Sequence, residues 1–246
     1  MKWREREMKK VIIGLVMLIV YAGMIYGEEM TVEKLINRVK QNMNGIDDLR
    51  GTVEITNIVA GHEIRQTMQI FYKEPNKFKM VGLSTAGVSL LSAFYDGENT
   101  YYKSKILNCD NNIRRQKFDR GIDYFPFKIS YELEISIIFE KISEGNNHIL
   151  TKESGAIYKI EKDSEEKGRK DEIWIDYEKG LVTKYKINHN GEMLSEIKEI
   201  QKFGDSYFPI RLSNEKKALI YSIITEINWK DIKINKGIHD KELKIE

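Results

Sequence analysis

The sequence holds one cysteine, Cys109, and three prolines in 246 residues. A single thiol excludes an internal disulfide and any multi-cysteine metal site. So few prolines exclude a Pro-rich linker. An excess of one charge is missing too: 40 Lys and Arg stand against 38 Asp and Glu, which leaves no electrostatic footprint for nucleic acid. Motifs for chemistry are also absent. There is no G-x-S-x-G, no Walker pattern, no H-E-x-x-H and no dinucleotide fingerprint. The histidines His62, His148, His189 and His239 are scattered, three of them at turns or segment ends, so no metal or catalytic role is expected of them. Cys109 has no histidine or helix start beside it to activate the thiol. The expectation is a protein that is not an enzyme and needs no cofactor or metal.

Long apolar runs are equally scarce, and the one present lies near the N-terminus. Lys9 and Lys10 precede an apolar stretch over residues 11–26, followed by Glu28 and Glu29. A basic n-region before an apolar h-region is the pattern of a secretory signal peptide. Met8 makes the tidier start, and Gly27 marks a plausible cleavage point. The competing reading is an uncleaved anchor, for which the run is short against the roughly 20 residues a span needs. No cysteine follows the run, so this is not a lipoprotein leader. Residues 1–27 carry five Lys or Arg and two Glu, so the remainder has 35 basic and 36 acidic residues, a net charge of −1. The expected organisation is a signal peptide over 1–27 and a single domain over 28–246, exported to the periplasm.

What the sequence does have is alternation. Between Asp171 and Trp229, aromatic or β-branched residues recur at every second position, cut by turn signals at Glu178-Lys179-Gly180 and His189-Asn190-Gly191. Asn-Gly between alternating runs marks a tight hairpin, because a type I′ turn needs positive φ at both central residues. Strands are predicted over 172–177, 181–188, 192–202, 206–213 and 217–229. The N-terminal half repeats the pattern over 48–59, 62–73 and 77–81, with Ala60-Gly61 and Glu74-Pro75-Asn76 as breaks. Leu49, Gly51, Val53, Ile55 and Val59 share one parity, as do Ile64, Met68, Ile70 and Tyr72, and then Phe78 and Met80. One face is apolar and the other wet, as in a one-sided antiparallel sheet. A further hairpin turns at Asp96-Gly97, residues 107–120 read as a loop or edge strand, and β structure returns over 148–152 and 156–162.

Three stretches differ. From Thr31, a good N-cap, Val32, Leu35, Ile36, Val39, Met43 and Ile46 fall at helical spacing, and Asn44-Gly45 stops the helix. Residues 83–93 are small, apolar and uncharged, and read either as a buried turn at the sheet end or as a mobile flap over a cavity. Residues 130–143 read as a second helix, apolar on more than one side, and such a helix is buried on more than one side. A wide meander must curl and cover one face. Its hollow is then either filled by the two helices or left for a ligand. Composition leaves both open.

Several segments resemble the LolA/LppX-type family of exported lipid- and lipoprotein-binding proteins. Glu74-Pro75-Asn76-Lys77-Phe78-Lys79-Met80 is similar to that family's P-x-K-F/L-R segment, and Tyr95-Asp96-Gly97-Glu98-Asn99-Thr100-Tyr101-Tyr102 to its D-G-x-x-x-W/Y-Y hairpin. Ile173-Trp174-Ile175-Asp176, with Gly180-Leu181-Val182 and Asn190-Gly191, resembles its L-W-I-D meander. Tyr101-Tyr102 replaces the tryptophan often found there, and Leu243 stands where a late phenylalanine is usual. The resemblance implies a mainly β fold with helices (α+β): a strongly curved antiparallel sheet forming an unclosed β-barrel, covered by an N-terminal helix and an inserted helical lid. It implies a monomeric periplasmic carrier of an acylated lipoprotein or lipid, working between donor and acceptor membrane proteins. The alternative is an envelope sensor or regulatory interaction domain of the same fold. On parity, Val53, Ile55, Met68, Ile70, Tyr72, Phe78 and Met80 are the expected acyl-chain lining, with Leu90, Leu91, Phe94 and Ile138 as lid residues.

Overall fold

Alternation becomes one antiparallel sheet. The computed structural model describes residues 29–75, 77–104, 114–117, 148–163, 168–188, 191–217 and 222–244. Helix α1 (Val32–Asn44) leads into β1 (Asp48–Val59), β2 (His62–Lys73), β3 (Lys77–Leu83), β4 (Ser89–Tyr95), β5 (Asn99–Ser104) and β6 (Arg114–Lys117). The second half runs through β7 (His148–Ser154), β8 (Ile157–Asp163), β9 (Lys170–Asp176), β10 (Leu181–Asn188), β11 (Glu192–Phe203), β12 (Ser206–Lys217) and β13 (Ser222–Ile234), then α2 (Asp240–Leu243). Hydrogen-bonded neighbours follow the order β6-β5-β4-β3-β2-β1-β13-β12-β11-β10-β9-β8-β7. The sheet is not closed: among the described strands β6 and β7 stand at its edges, and the first and last of them pair at its centre. The predicted leader (1–27) and the predicted lid helix (130–143) lie outside the described residues. No helix among the described residues is long and apolar enough to cross a membrane.

Helix α1 begins as predicted. The Thr31 hydroxyl accepts from the Lys34 N–H at 3.2 Å, satisfying one of the free amides of the first turn. Leu35, Ile36, Val39 and Met43 are buried against Ile160, Ile173, Ile175, Val182 and Tyr185 of β8, β9 and β10. Two polar side chains lock the helix down. Asn42, 5% exposed, donates to the Tyr207 carbonyl at 2.9 Å and accepts from the Tyr207 N–H at 2.7 Å. Arg38 donates through Nε to the Tyr177 carbonyl at 3.1 Å and through its terminal nitrogen to the Glu178 carbonyl at 2.7 Å. The helix comes so close to that turn that a Cβ on Gly180, whose φ is +63°, would lie 2.6 Å from the Arg38 carbonyl oxygen.

Interruptions in the ladders bend the sheet, since each extra residue kinks its strand and adds twist. Register shifts fall between Arg50 and Thr52 in β1, Gly82 and Leu83 in β3, Val182 and Lys184 in β10, and on both sides of Glu199 in β11. At the first of these Asp231 takes φ +51°, and Gly51 leaves room for the Trp229 ring, 3.2 Å from where a Cβ would be. Below it the chain ends are stitched together. Asn235 accepts from the Asp47 N–H and donates to the Gly45 carbonyl, while the Asp48 carboxylate accepts from the N–H groups of Lys236 and Gly237. Helix α2 then packs against β3. Leu243 is buried, Arg50 pairs with Glu242 at 3.0 Å, and the Lys79 ammonium donates to the carbonyls of Glu242 and Lys244.

Candidate functional site: one face of the curled sheet

Cross-strand partners share a face, so the register identifies the wall of the hollow. From β4 to β13 one row reads Leu91, Gly82, Met68, Val53, Trp229, and a second reads Ala93, Met80, Ile70, Gly51. A third joins Tyr95, Phe78, Tyr72, Leu49 and Ile234. Across the other half, Tyr185, Ile173, Ile160 and Leu150 continue the same face beneath α1. This is therefore the inner face. In these rows β1, β2, β3, β4 and β13 place no Asp, Glu, Lys or Arg among the described residues.

The seven residues predicted as lining all fall on this face, and burial divides them. Val53, Ile70, Tyr72 and Phe78 are 1–3% exposed and form a floor with Phe208, Trp229 and Ile234. Ile55, Met68 and Met80 pack on that floor but stay half-buried, as do Ile210 and Ile227. Burial falls away toward the β1–β2 hairpin, where Ile64 is 55% exposed.

The expected lid residues that are described do not share one face. Leu91 is on the inner face and 38% exposed. Leu90 is the extra residue where pairing jumps from Gly82–Leu91 to Leu83–Ser89. Phe94 lies on the opposite face, paired with Lys79 and stacked on Tyr101 at 5.9 Å. Ile138 is outside the described residues. The stretch over 83–93 is neither a buried turn nor a separate flap. Residues 84–88 form an exposed hairpin turn, closed by Ser84 N–H donating to the Val88 carbonyl at 2.8 Å, and β4 follows at once.

Charge collects mainly on the outer face, while on the inner face the row Ile223, Lys216, Met193, Ile187 and Asp171 carries Lys216 and Asp171. The Lys159 ammonium reaches Glu172 and Glu161, Lys170 reaches Glu161 at 2.8 Å, and Trp174 lies between Lys159 and Lys184 at 4.9 and 4.7 Å. Hydrogen bonds from Lys159 and then Lys170 hold the Glu161 carboxyl below the ordinary range, and those to Glu161 and Glu172 raise Lys159. Arg50 and Arg65 belong to this face as well, paired with Glu242 and Glu63. Among the described residues no three His, Cys, Asp or Glu are grouped to hold a metal ion.

Two features of the inner face escaped the sequence reading. Trp229, 5% exposed, meets Phe208 edge-on at 5.5 Å, and its indole Nε1 is buried without a hydrogen-bond partner among the described residues. Nearer the open end a band of uncharged polar side chains crosses four strands. Asn57 registers with Thr225, Thr225 with Asn214, and Asn214 with Ser195. Thr225 donates to the Asn57 amide oxygen at 2.8 Å, and Ser195 to that of Asn214 at 2.6 Å.

Comparison of the sequence with protein-family models gives no match, and neither does comparison with curated proteins. Solved structures do match. A DUF1329 family protein from Desulfovibrio piger is similar with a TM-score of 0.58 at 12% identity, covering 85% of this chain and 94% of that one. A LolA superfamily protein from Nitrosomonas europaea gives 0.57 at 11% identity, covering 88% and 99%. An outer membrane lipoprotein-sorting protein domain from Vibrio parahaemolyticus gives 0.58 at 14% identity, covering 87% and 97%. At such identities the likeness is one of backbone. With an unclosed antiparallel sheet, its termini paired at the centre and a helix laid on its inner face, this chain has the LolA-like fold.

Proposed function

We propose that this protein is an exported, non-catalytic carrier that shields the acyl chains of a lipid or lipoprotein on the inner face of its sheet. The observation that carries the reading is the half-buried apolar layer of Ile55, Met68, Met80, Ile210 and Ile227 above a fully buried floor, in rows free of charge. Each methylene laid on such a surface gains about 0.8 kcal/mol. A palmitoyl chain therefore brings roughly 10 kcal/mol before the cost of immobilising it is subtracted. The lipoprotein-sorting domain among its structural neighbours supports the same class of cargo. The basic and apolar N-terminal stretch supports export, and on this reading a monomeric carrier works in the periplasm between donor and acceptor membrane proteins.

The test is mass spectrometry of organic extracts from protein purified out of its native envelope. Acylated molecules at near one per chain are expected, reduced at least tenfold in Met68→Glu with the circular dichroism spectrum unchanged. Extracts free of acyl compounds, together with capture of one specific membrane protein, would replace the carrier by the sensor reading.

A further inference from the structure

The polar band has a chemistry that the acyl-binding reading does not use. Both amide oxygens of Asn57 and Asn214 are already engaged, by Thr225 and Ser195. Each carboxamide keeps its NH₂, and neither NH₂ has a protein partner among the described residues. The band thus offers donors toward the hollow, up to four N–H bonds from two groups. It runs across β1, β13, β12 and β11, about 14 Å at the usual strand spacing. On its buried side the wall is Ile55, Ile227 and Leu212, then Val53 and Trp229. Trp229 is four residues from Thr225 on the same strand, about 13 Å deeper. All four members of the band are half-buried, and the unpartnered NH₂ groups are open to solvent, so a ligand acceptor takes the place of water there.

An anionic headgroup calls for Arg or Lys, which give the stronger charge-assisted bonds. The band has neither. Its donors suit an uncharged group that only accepts, held where an apolar chain gives way to a polar one. We infer that Asn57 and Asn214 recognise the ester carbonyls of a diacylglyceryl group, with the two acyl chains running past them over Ile55, Ile227 and Val53 toward Trp229. The inference rests on the acyl-binding reading of this face and deepens it: the band sets cargo chemistry, and the apolar rows supply affinity. The same linkage occurs on glycerophospholipids and on the diacylglyceryl-cysteine of bacterial lipoproteins.

The experiment compares ester with ether lipids of equal chain length, read as displacement of a fluorescent fatty acid from the full chain. One pair is a diester phosphatidylglycerol and its dialkyl ether analogue, which lacks the carbonyl acceptors. The other is a diacylglyceryl-cysteine peptide and its dialkyl analogue. In the wild-type protein the ester member is expected to bind about tenfold tighter, the effect of roughly two hydrogen bonds. In Asn57→Leu/Asn214→Leu the ratio falls to about one, while affinity for the ether lipid is kept. The pair that shows the preference identifies the source as phospholipid or lipoprotein. Should the double variant fail to fold, Asn57→Val and Asn214→Val made singly read the same ratio, each expected to lose about half of the preference on a logarithmic scale. Equal binding of ester and ether in both pairs, or a preference that survives the substitutions, overturns the inference and leaves the acyl reading standing. Failure of every lipid to displace the probe overturns both.

Discussion

Replacing Asn42 removes the more deeply buried of the two polar joints described between helix α1 and the sheet. The register of β12 with β13 begins only at Arg211, so the Tyr207 peptide has no strand partner on that side and Asn42 takes both its N–H and its carbonyl. Asn42→Leu leaves two backbone groups unpaired beneath the helix. At about 1–3 kcal/mol for each unsatisfied group the loss is roughly 2–5 kcal/mol, a large share of the 5–15 kcal/mol typical of a domain. Asn42→Asp separates hydrogen bonding from shape. The new carboxylate still accepts from the Tyr207 N–H, but it sets a negative oxygen against the Tyr207 carbonyl in a site only 5% exposed. Burial and that contact raise its folded pKa above the unfolded value of about 3.9. A carboxyl with a raised folded pKa binds more protons folded than unfolded, so its penalty is full above the raised pKa and shrinks as pH falls through it. Urea unfolding followed by far-ultraviolet circular dichroism at pH 7.5 and pH 5 reads both effects. The Asp variant is expected to recover part of its deficit at pH 5, while the Leu variant keeps its own. A Leu variant within 1 kcal/mol of wild type, or an Asp deficit that ignores pH, would refute the joint.

Three further outcomes follow from the packing. Gly180→Ala is expected to cost at least about 2 kcal/mol, from the left-handed backbone and from collision with the Arg38 carbonyl. Gly155→Ala, at φ +54° with nothing within 4 Å, is its control and should cost about 1 kcal/mol. Leu243→Ala, emptying a site 1% exposed, should lower stability by about 2–4 kcal/mol in the same urea assay. The outer-face cluster has a pH signature at both ends. Because Glu161 is lowered, its contribution is present above the ordinary carboxylate pKa and lost as pH falls through the lowered value. Because Lys159 is raised, its contribution is present below the ordinary lysine pKa and lost as pH rises through the raised value. Lys159→Met should flatten the acid limb and remove its share of the alkaline one, read as melting temperature against pH.

The strands were legible because their signals are local. The breaks at Ala60-Gly61 and Glu74-Pro75 bound β1 and β2 at the predicted residues, and strict alternation put Val53, Ile55, Met68 and Ile70 on one face. The Thr31 cap and the apolar spacing located α1 for the same reason. Residues 83–93 have no alternation to set a phase. The phase of β4 comes from its pairing with β3 and from the bulge beside Gly82, which is why Phe94 turned outward. β12 runs four residues past its predicted end, and β13 keeps its predicted length but lies five residues later, because polar residues such as Glu215, Lys216 and Lys233 continue the ladders beyond the apolar pattern. Asn42, Asn57 and Asn214 carry no sequence mark at all. Each finds its partner on a strand far along the chain, and only the assembled register brings Asn57 to Thr225 or Asn42 to Tyr207.

The pairing of β1 with β13 has a kinetic corollary. Leu49 meets Ile234 and Val53 meets Trp229, so the middle seam of the sheet is also its most non-local contact. Such high contact order slows folding, because the entropy of closing so long a loop is lost before the contacts of the seam repay it. Until Ser222–Ile234 has been synthesised, β1 presents a bare edge able to pair with any other extended chain. Biogenesis therefore depends on whatever keeps that edge apart from other strands while the polypeptide is being completed, and a truncation ahead of β13 should give aggregates in place of a shortened sheet.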